Sequence, residues 1–446
     1  MGASDTATII AVSTPPGQGG VGLIRISGPQ ALLIGRQLFV AEPVLGRRVR
    51  HVTLGRVVDD GGRPLDAALA WFLAGPSSYT GEDVVEISTH GSTAVLEAVV
   101  DRGRRLGARL AQPGEFTRRA FLNGRMDLLQ AEAVVDVIQA QSEGSLQTAY
   151  GVLGGQLSAR VRRMRDGLID ALARLESMLD FSEDVSAEDV GNVAAAIAEV
   201  LESATALVDS FKGARSRMVG FSVVLVGRPN AGKSTLFNSL LGEDRSIVTD
   251  VPGTTRDWVE GRVNWAGETV RLIDTAGLRQ TNDPVEAAGV SRTQSQIETA
   301  DLVVQVIDAA SEPLEELIPA CQATRQTVRV YSKGDIQSGQ ARQPGDLVVS
   351  AHTGLGMAEL RETILGRLPR GGDTTEGGPV RERHRDALMA IAEAARRAEA
   401  EVLSGGPLEL AAAELQNSLG HVGQLLGEEV EEAVLDRIFS EFCIGK

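Results

Sequence analysis

Residues 221–242 read FSVVLVGRPNAGKSTLFNSLLG. Phe221–Val226 is a short apolar run of the kind that forms a buried strand, and a helical pattern opens at Thr235. Between them, Gly227-Arg228-Pro229-Asn230-Ala231-Gly232-Lys233-Ser234 fits G-x-x-x-x-G-K-[ST] in its strand–loop–helix context. Glycines allow the tight wrap that turns backbone N–H groups toward phosphate oxygens, and the helix N-terminus favours an anion. Lys233 then reaches the outer phosphates of a nucleotide and Ser234 ligates Mg²⁺. Asn230, Ala231, Gly232 and Thr235 complete the cradle. Alternating strands and helices continue to about residue 369, which predicts a P-loop domain over 219–369 with a mixed, mostly parallel sheet.

Other motifs choose the nucleotide. LIDTAG (272–277) puts Asp274 at a strand end, where it holds Mg²⁺ through water. Thr275 and Ala276 follow, and the Gly277 N–H senses the terminal phosphate. In IVTDVPGTTRD (247–257), Thr254 and Thr255 are candidates for a switch that closes on Mg²⁺, and Thr249, Asp250, Val251, Pro252 and Gly253 are further nucleotide contacts. VRVYSKGDI (328–336) resembles the guanine-reading N-K-x-D of GTPases. Asp335 accepts from the guanine N1 and N2 donors, which adenine lacks, and Lys333 packs over the base. VVSAHTGLG (348–356) resembles the accompanying S-A-x-x-G loop through Ser350 and Ala351. Ser332 stands where the pattern has asparagine, which puts in question the usual contacts to guanine and to the phosphate loop.

After DTAG comes Leu278, not the glutamine with which many small GTPases orient water. Either hydrolysis is slow, or the missing charge stabilisation comes from a monovalent cation held by Asn230 and the TDVPGTT segment or from a partner's arginine. Glu286 either orients the attacking water through a second water or is a solvated helix-start residue.

The flanks differ from this centre. Residues 1–122 mix Gly/Pro turns with strand-like TIIAVST, VGLIRIS, LDAALAWFL and DVVEIST and a helix-like STAVLEAVVDRGRRLG, a small α/β domain. Residues 123–218 and 370–446 carry helical periodicity, so the P-loop segment interrupts one discontinuous helical domain. The net charge of −16 disfavours a persistent nucleic-acid binder. Two cysteines are too few for a disulfide framework, and no apolar run approaches a membrane span, so the expectation is a cytoplasmic protein with no membrane partner. Only Lys212, Lys233, Lys333 and Lys446 are lysine among 44 basic residues; two of them fall in the nucleotide motifs and one ends EFCIGK.

TPPGQGGVGLIRISGP, YTGEDVVEISTHG, PGEFTRRAFLNGRMDLLQAEAVVDVI, GRPNAGKSTLFNSLL, IVTDVPGTTRD, DTAGLR and FCIGK together resemble the MnmE (TrmE) family of tRNA-modification GTPases, within the TrmE-Era-EngA-like group. The resemblance implies a Ras-like GTPase domain and an N-terminal domain that dimerises and binds 5-formyl- or methylene-tetrahydrofolate. It implies a GTP/GDP cycle with Mg²⁺ on Ser234 and Thr255, and K⁺ on Asn230, Thr249, Val251 and Thr254. It implies that K⁺ lets the GTPase domains of a homodimer meet and hydrolyse GTP, with Glu286 as the water-orienting residue. It also implies a heterotetramer with the FAD-dependent MnmG (GidA), adding a carboxymethylaminomethyl-type group to C5 of the wobble uridine of certain tRNAs. Folate contacts would be Arg25, Glu86, Arg125 and Lys446, and Cys443 would stand beside the one-carbon chemistry as a catalytic thiol or as packing. Arg25 and Glu86 could instead be a strand-edge salt bridge. A ribosome-assembly or translation GTPase is the alternative, disfavoured because this acidic chain has no basic RNA-binding segment.

Overall fold

The computed structural model describes residues 7–180, 186–242, 259–274, 297, 299–309, 326–336, 346–369, 377–428 and 430–446. The chain divides into two compact units, Met1–Val135 with Leu419–Lys446, and Asp136–Ser418.

The first unit is built on a seven-stranded sheet: β1 (Ile9–Val12), β2 (Gly19–Ser27), β3 (Phe39–Val40), β4 (Thr53–Val58), β5 (Pro64–Leu73), β6 (Val84–Gly91) and β7 (Arg109–Leu110). Their order is β3-β4-β5-β6-β2-β1-β7, antiparallel except for β1 with β7. The four strand-like segments of the sequence are β1, β2, β5 and β6, and the helix-like one is Thr93–Arg105. No strand pattern marks β3, β4 or β7 in the sequence. Two of these are two residues long, and β4 carries an interior glycine, which weakens the local pattern. Side chains alternate between faces along each strand. Ile10, Ile24, Ile26, Val85 and Ile87 pack against Ile34 and Leu38 of helix Ala31–Leu38 and against Leu96 and Val99 of helix Thr93–Arg105. On the other face Ile9, Ala11 and Tyr79 meet Phe116 of helix Glu115–Leu122. The chain's last helix, Glu432–Ser440, joins this unit through Phe439, whose ring lies 6.4 Å from Phe121 and 5.4 Å from Phe442.

The second unit holds a six-stranded sheet of β8 (Phe221–Val226), β9 (Val259–Trp265), β10 (Glu268–Asp274), β11 (Leu302–Asp308), β12 (Thr327–Ser332) and β13 (Leu347–Val348). The order is β13-β12-β11-β8-β10-β9, and every pairing is parallel except β9 with β10. Parallel strands covered on both faces read as unbroken apolar runs. Accordingly, Val223 and Leu225 face Leu236, Phe237 and Leu240 of helix Lys233–Gly242, while Val224 and Val226 face Ile273 and Ile297.

The rest of this unit is helical. Ser186 and Asp189 form a reciprocal capping box at the start of helix Ala187–Val219, each side chain accepting the other's backbone N–H at 3.1 Å. This helix is long and apolar enough to cross a membrane by length and composition. Here it packs Val193, Ile197, Val200, Leu207 and Phe211 inward, beside helices Gln156–Asp180 and Glu382–Ser404. Lys212 is exposed on it.

Candidate functional site: a nucleotide pocket and a charged row

In parallel α/β sheets, ligands collect at the carboxyl ends of the strands. Here β8 runs into Gly227, β10 ends on Asp274, β11 on Asp308 and β12 on Ser332. Gly227 cannot carry a side chain, because a Cβ would land on the Val306 carbonyl oxygen of β11. Asn230 has φ 64°, left-handed backbone that asparagine tolerates better than most residues. Lys233 is buried, and its Nζ donates to the carbonyls of Gly227 at 2.8 Å and Arg228 at 2.9 Å. Burial pushes the Lys233 pKa down, and the Asp274 charge pulls the other way. Ala231 N–H donates to the Arg228 carbonyl at 3.2 Å, and Gly232 and Thr235 flank Lys233 and Ser234 along the same turn into the helix.

Ser234 Oγ donates to Asp274 Oδ2 at 2.7 Å. Two adjacent hard oxygens fit Mg²⁺, which takes few protein ligands and keeps much of its water. Among the described residues no group of three or more His, Cys, Asp or Glu forms a metal centre.

On the base side, Ser332 Oγ lies 2.6 Å from the Ala231 carbonyl and 3.1 Å from that of Ile307. Ser332 therefore keeps a contact to the phosphate loop: β12 and the loop approach within reach of one hydroxyl. Lys333 adopts φ 58°, unusual for a non-glycine residue, and its Nζ pairs with Asp308 Oδ2 at 2.6 Å. The sequence reading did not single out Asp308; its place at the end of the apolar run LVVQVID is the signal that marks it. The buried Ser350 hydroxyl bonds the Asp335 carboxylate, which together with a backbone N–H holds it below the usual carboxylate pKa range. Ala351 follows on the same loop. Thr249, Asp250, Val251, Pro252, Gly253, Thr254, Thr255, Thr275, Ala276, Gly277 and Glu286 lie outside the described residues.

The first unit carries a second constellation. Ala11, Arg25, Glu86 and Trp71 are directly opposite one another across β1, β2, β6 and β5, so they form one row on one face. Arg25 Nε donates to Glu86 Oε1 at 2.7 Å and Trp71 Nε1 to Glu86 Oε2 at 2.8 Å. The Arg25 guanidinium lies 5.4 Å from the Tyr79 ring centre and 5.5 Å from that of Phe116, within cation–π range. Of the two readings of Arg25 and Glu86, the salt bridge is present, with both side chains 13% exposed.

The chain's last residues close onto this row. Arg25 Nη1 donates to the Gly445 carbonyl at 3.3 Å, and Phe116 N–H donates to the Lys446 carbonyl at 3.1 Å. Burial and then the Arg25 charge push the Lys446 pKa down, against the pull of Glu86. Cys443 is exposed, and its carbonyl accepts from Lys446 N–H at 3.3 Å. Arg125 is exposed on the edge of a cleft of about 550 Å³ shared with Arg50, Trp71, Leu73, Ser78 and Tyr79. The sequence reading missed Trp71, Tyr79 and Arg50, because only the strand register and the connecting loops bring them to the row.

Two family models match the chain. The GTP-binding protein TrmE N-terminus matches residues 8–125, and the MnmE helical domain matches residues 128–443. The chain is 42% identical over 460 residues to the tRNA modification GTPase MnmE of Chloroflexus aurantiacus, covering 98% of this chain and 99% of the relative. It is 42% identical to that of Roseiflexus castenholzii and 41% to that of Symbiobacterium thermophilum, each again over 98% of this chain and 99% of the relative. With a TrmE-type N-terminus, a helical domain and a P-loop sheet carried end to end at this identity, the chain belongs to the MnmE family of tRNA modification GTPases.

Proposed function

We propose that this chain hydrolyses GTP to drive modification of the wobble uridine of certain tRNAs. The observation that carries the reading is the match over 98% of the chain to a relative named tRNA modification GTPase MnmE. The strand-end cluster supports the hydrolytic part. Lys233 faces the phosphates, Ser234 and Thr255 hold Mg²⁺ with Asp274 acting through water, and Asp335 and Lys333 take the guanine. Asn230, Thr249, Val251 and Thr254 would hold K⁺, which would supply the charge an arginine finger otherwise gives when two GTPase domains meet, and Glu286 orients the attacking water.

Residues 1–122 form the folate and dimerisation domain, 219–369 the GTPase domain, and 123–218 with 370–446 the helical domain. A reduced folate supplies the one-carbon unit. Arg25, Arg125 and Lys446 supply cations for its carboxylates, Glu86 accepts from the pterin, and Cys443 is the acid or nucleophile beside it. An MnmG-type flavoprotein completes a cytoplasmic heterotetramer that adds a carboxymethylaminomethyl-type group at C5.

Mass spectrometry of tRNA nucleosides from cells lacking this protein tests the reading. The C5-modified wobble uridine should disappear and return when the gene is restored. Unchanged wobble nucleosides with defective ribosomal subunits would instead favour a ribosome-assembly role.

A further inference from the structure

Ser332 closes β12 at the position where the guanine-reading pattern has asparagine. It is 5% exposed. A hydroxyl has one proton to give and two lone pairs to offer. Both neighbours of Ser332 Oγ, the Ala231 carbonyl at 2.6 Å and the Ile307 carbonyl at 3.1 Å, are acceptors. The proton is therefore spent on backbone. The Ser332 carbonyl in turn accepts from Ala309 N–H at 3.1 Å, so this one residue stitches the phosphate loop, β11 and β12 together. Gly227, seated on the Val306 carbonyl, fixes the other end of the same loop.

Guanine presents acceptors at N7 and O6 and donors at N1 and N2. An asparagine amide has two N–H donors, enough for a loop carbonyl and a base acceptor together. Serine has none left for the base. Asp335 is of the opposite kind: an acceptor-only carboxylate, steadied by Ser350, that suits the N1 and N2 donors.

We propose that Ser332 is a positioning residue that ties the phosphate loop to the sheet without reading the base, so that this site recognises guanine by its N1/N2 donor edge and leaves N7 unread. The proposal rests on the GTP reading above. Its consequence is a widened ligand class: guanosine nucleotides altered at N7 are accepted as well as natural ones.

Calorimetry on the full-length protein with Mg²⁺ tests this. GDP and 7-deaza-GDP should bind with dissociation constants within about twofold of each other, whereas a hydrogen bond to N7 would separate them by about tenfold. IDP, which lacks the N2 amine, should bind about tenfold more weakly than GDP. Ser332→Ala should weaken GDP and 7-deaza-GDP by the same factor, about three- to tenfold. Ser332→Thr, which keeps the hydroxyl, should bind both as the parent does, and Ser332→Asn should favour GDP over 7-deaza-GDP. A parent protein that rejects 7-deaza-GDP, or a Ser332→Ala loss confined to GDP, would overturn the proposal. Failure to bind any guanine nucleotide would overturn the GTP reading beneath it.

Discussion

Gly445 shows how much one residue near the end of the chain controls. Its φ of 96° lies in the left-handed region, and a Cβ there would fall on the Val12 carbonyl oxygen. The neighbouring Lys446 is half-buried beside Arg25 and Glu86 only because this glycine lets the chain turn in. Gly445→Ala should therefore weaken binding of 5-formyl-tetrahydrofolate at least about tenfold, the loss of one well-placed charged contact. It should leave GDP affinity, which belongs to the second unit, unchanged. Calorimetry with each ligand measures both, and full folate affinity in the variant would detach Lys446 from that site. The sequence marks Lys233 and Lys333 by motif. For Arg25 and Glu86 it leaves salt bridge and ligand open, since two residues 61 apart become neighbours only through strand register.

Helix Glu115–Leu122 holds a buried carboxylate in its first turn. Burial opposes ionisation of Glu115, but the Arg109 hydrogen bonds, the Gln112 N–H and the Arg119 charge outweigh it and hold its pKa below the usual glutamate value. A carboxylate with a lowered folded-state pKa adds stability that is present above the unfolded pKa, about 4.3, and is lost as pH falls through the folded value. Hydrogen exchange of the amides of residues 115–122 should thus accelerate below that pH. Glu115→Gln should open this helix more readily by about 1–3 kcal/mol at pH 7, the cost of unpairing a buried charged network, and the gap should narrow toward pH 3. A pH-independent gap would mean that the carboxylate's charge contributes nothing here. No helical pattern is read over residues 115–122 in the sequence; the carboxylate's partners are Arg109 of β7, six residues before it, and Arg119 of the helix itself.

For the whole molecule the decisive prediction concerns the monovalent cation. Leu278 cannot orient water; in the reading proposed above Glu286 takes that task, and a bound K⁺ supplies the missing charge stabilisation. GTP hydrolysis should rise several-fold when sodium is replaced by potassium at constant ionic strength. Equal rates in the two salts would sink the cation proposal and return the role to an arginine.

The sequence alone determined the contiguous pieces. The phosphate loop, DTAG, the S-K-x-D stretch and the alternating strands are each written within a few consecutive residues, because local sterics and periodicity need nothing beyond them. Tertiary structure decided what depends on register and closure. It aligned Trp71, Glu86 and Arg25 across three strands, brought FCIGK to that row, and set Ser332 against Ala231. Those contacts join residues between 15 and 420 positions apart, and no local signal encodes which distant backbone a side chain will meet.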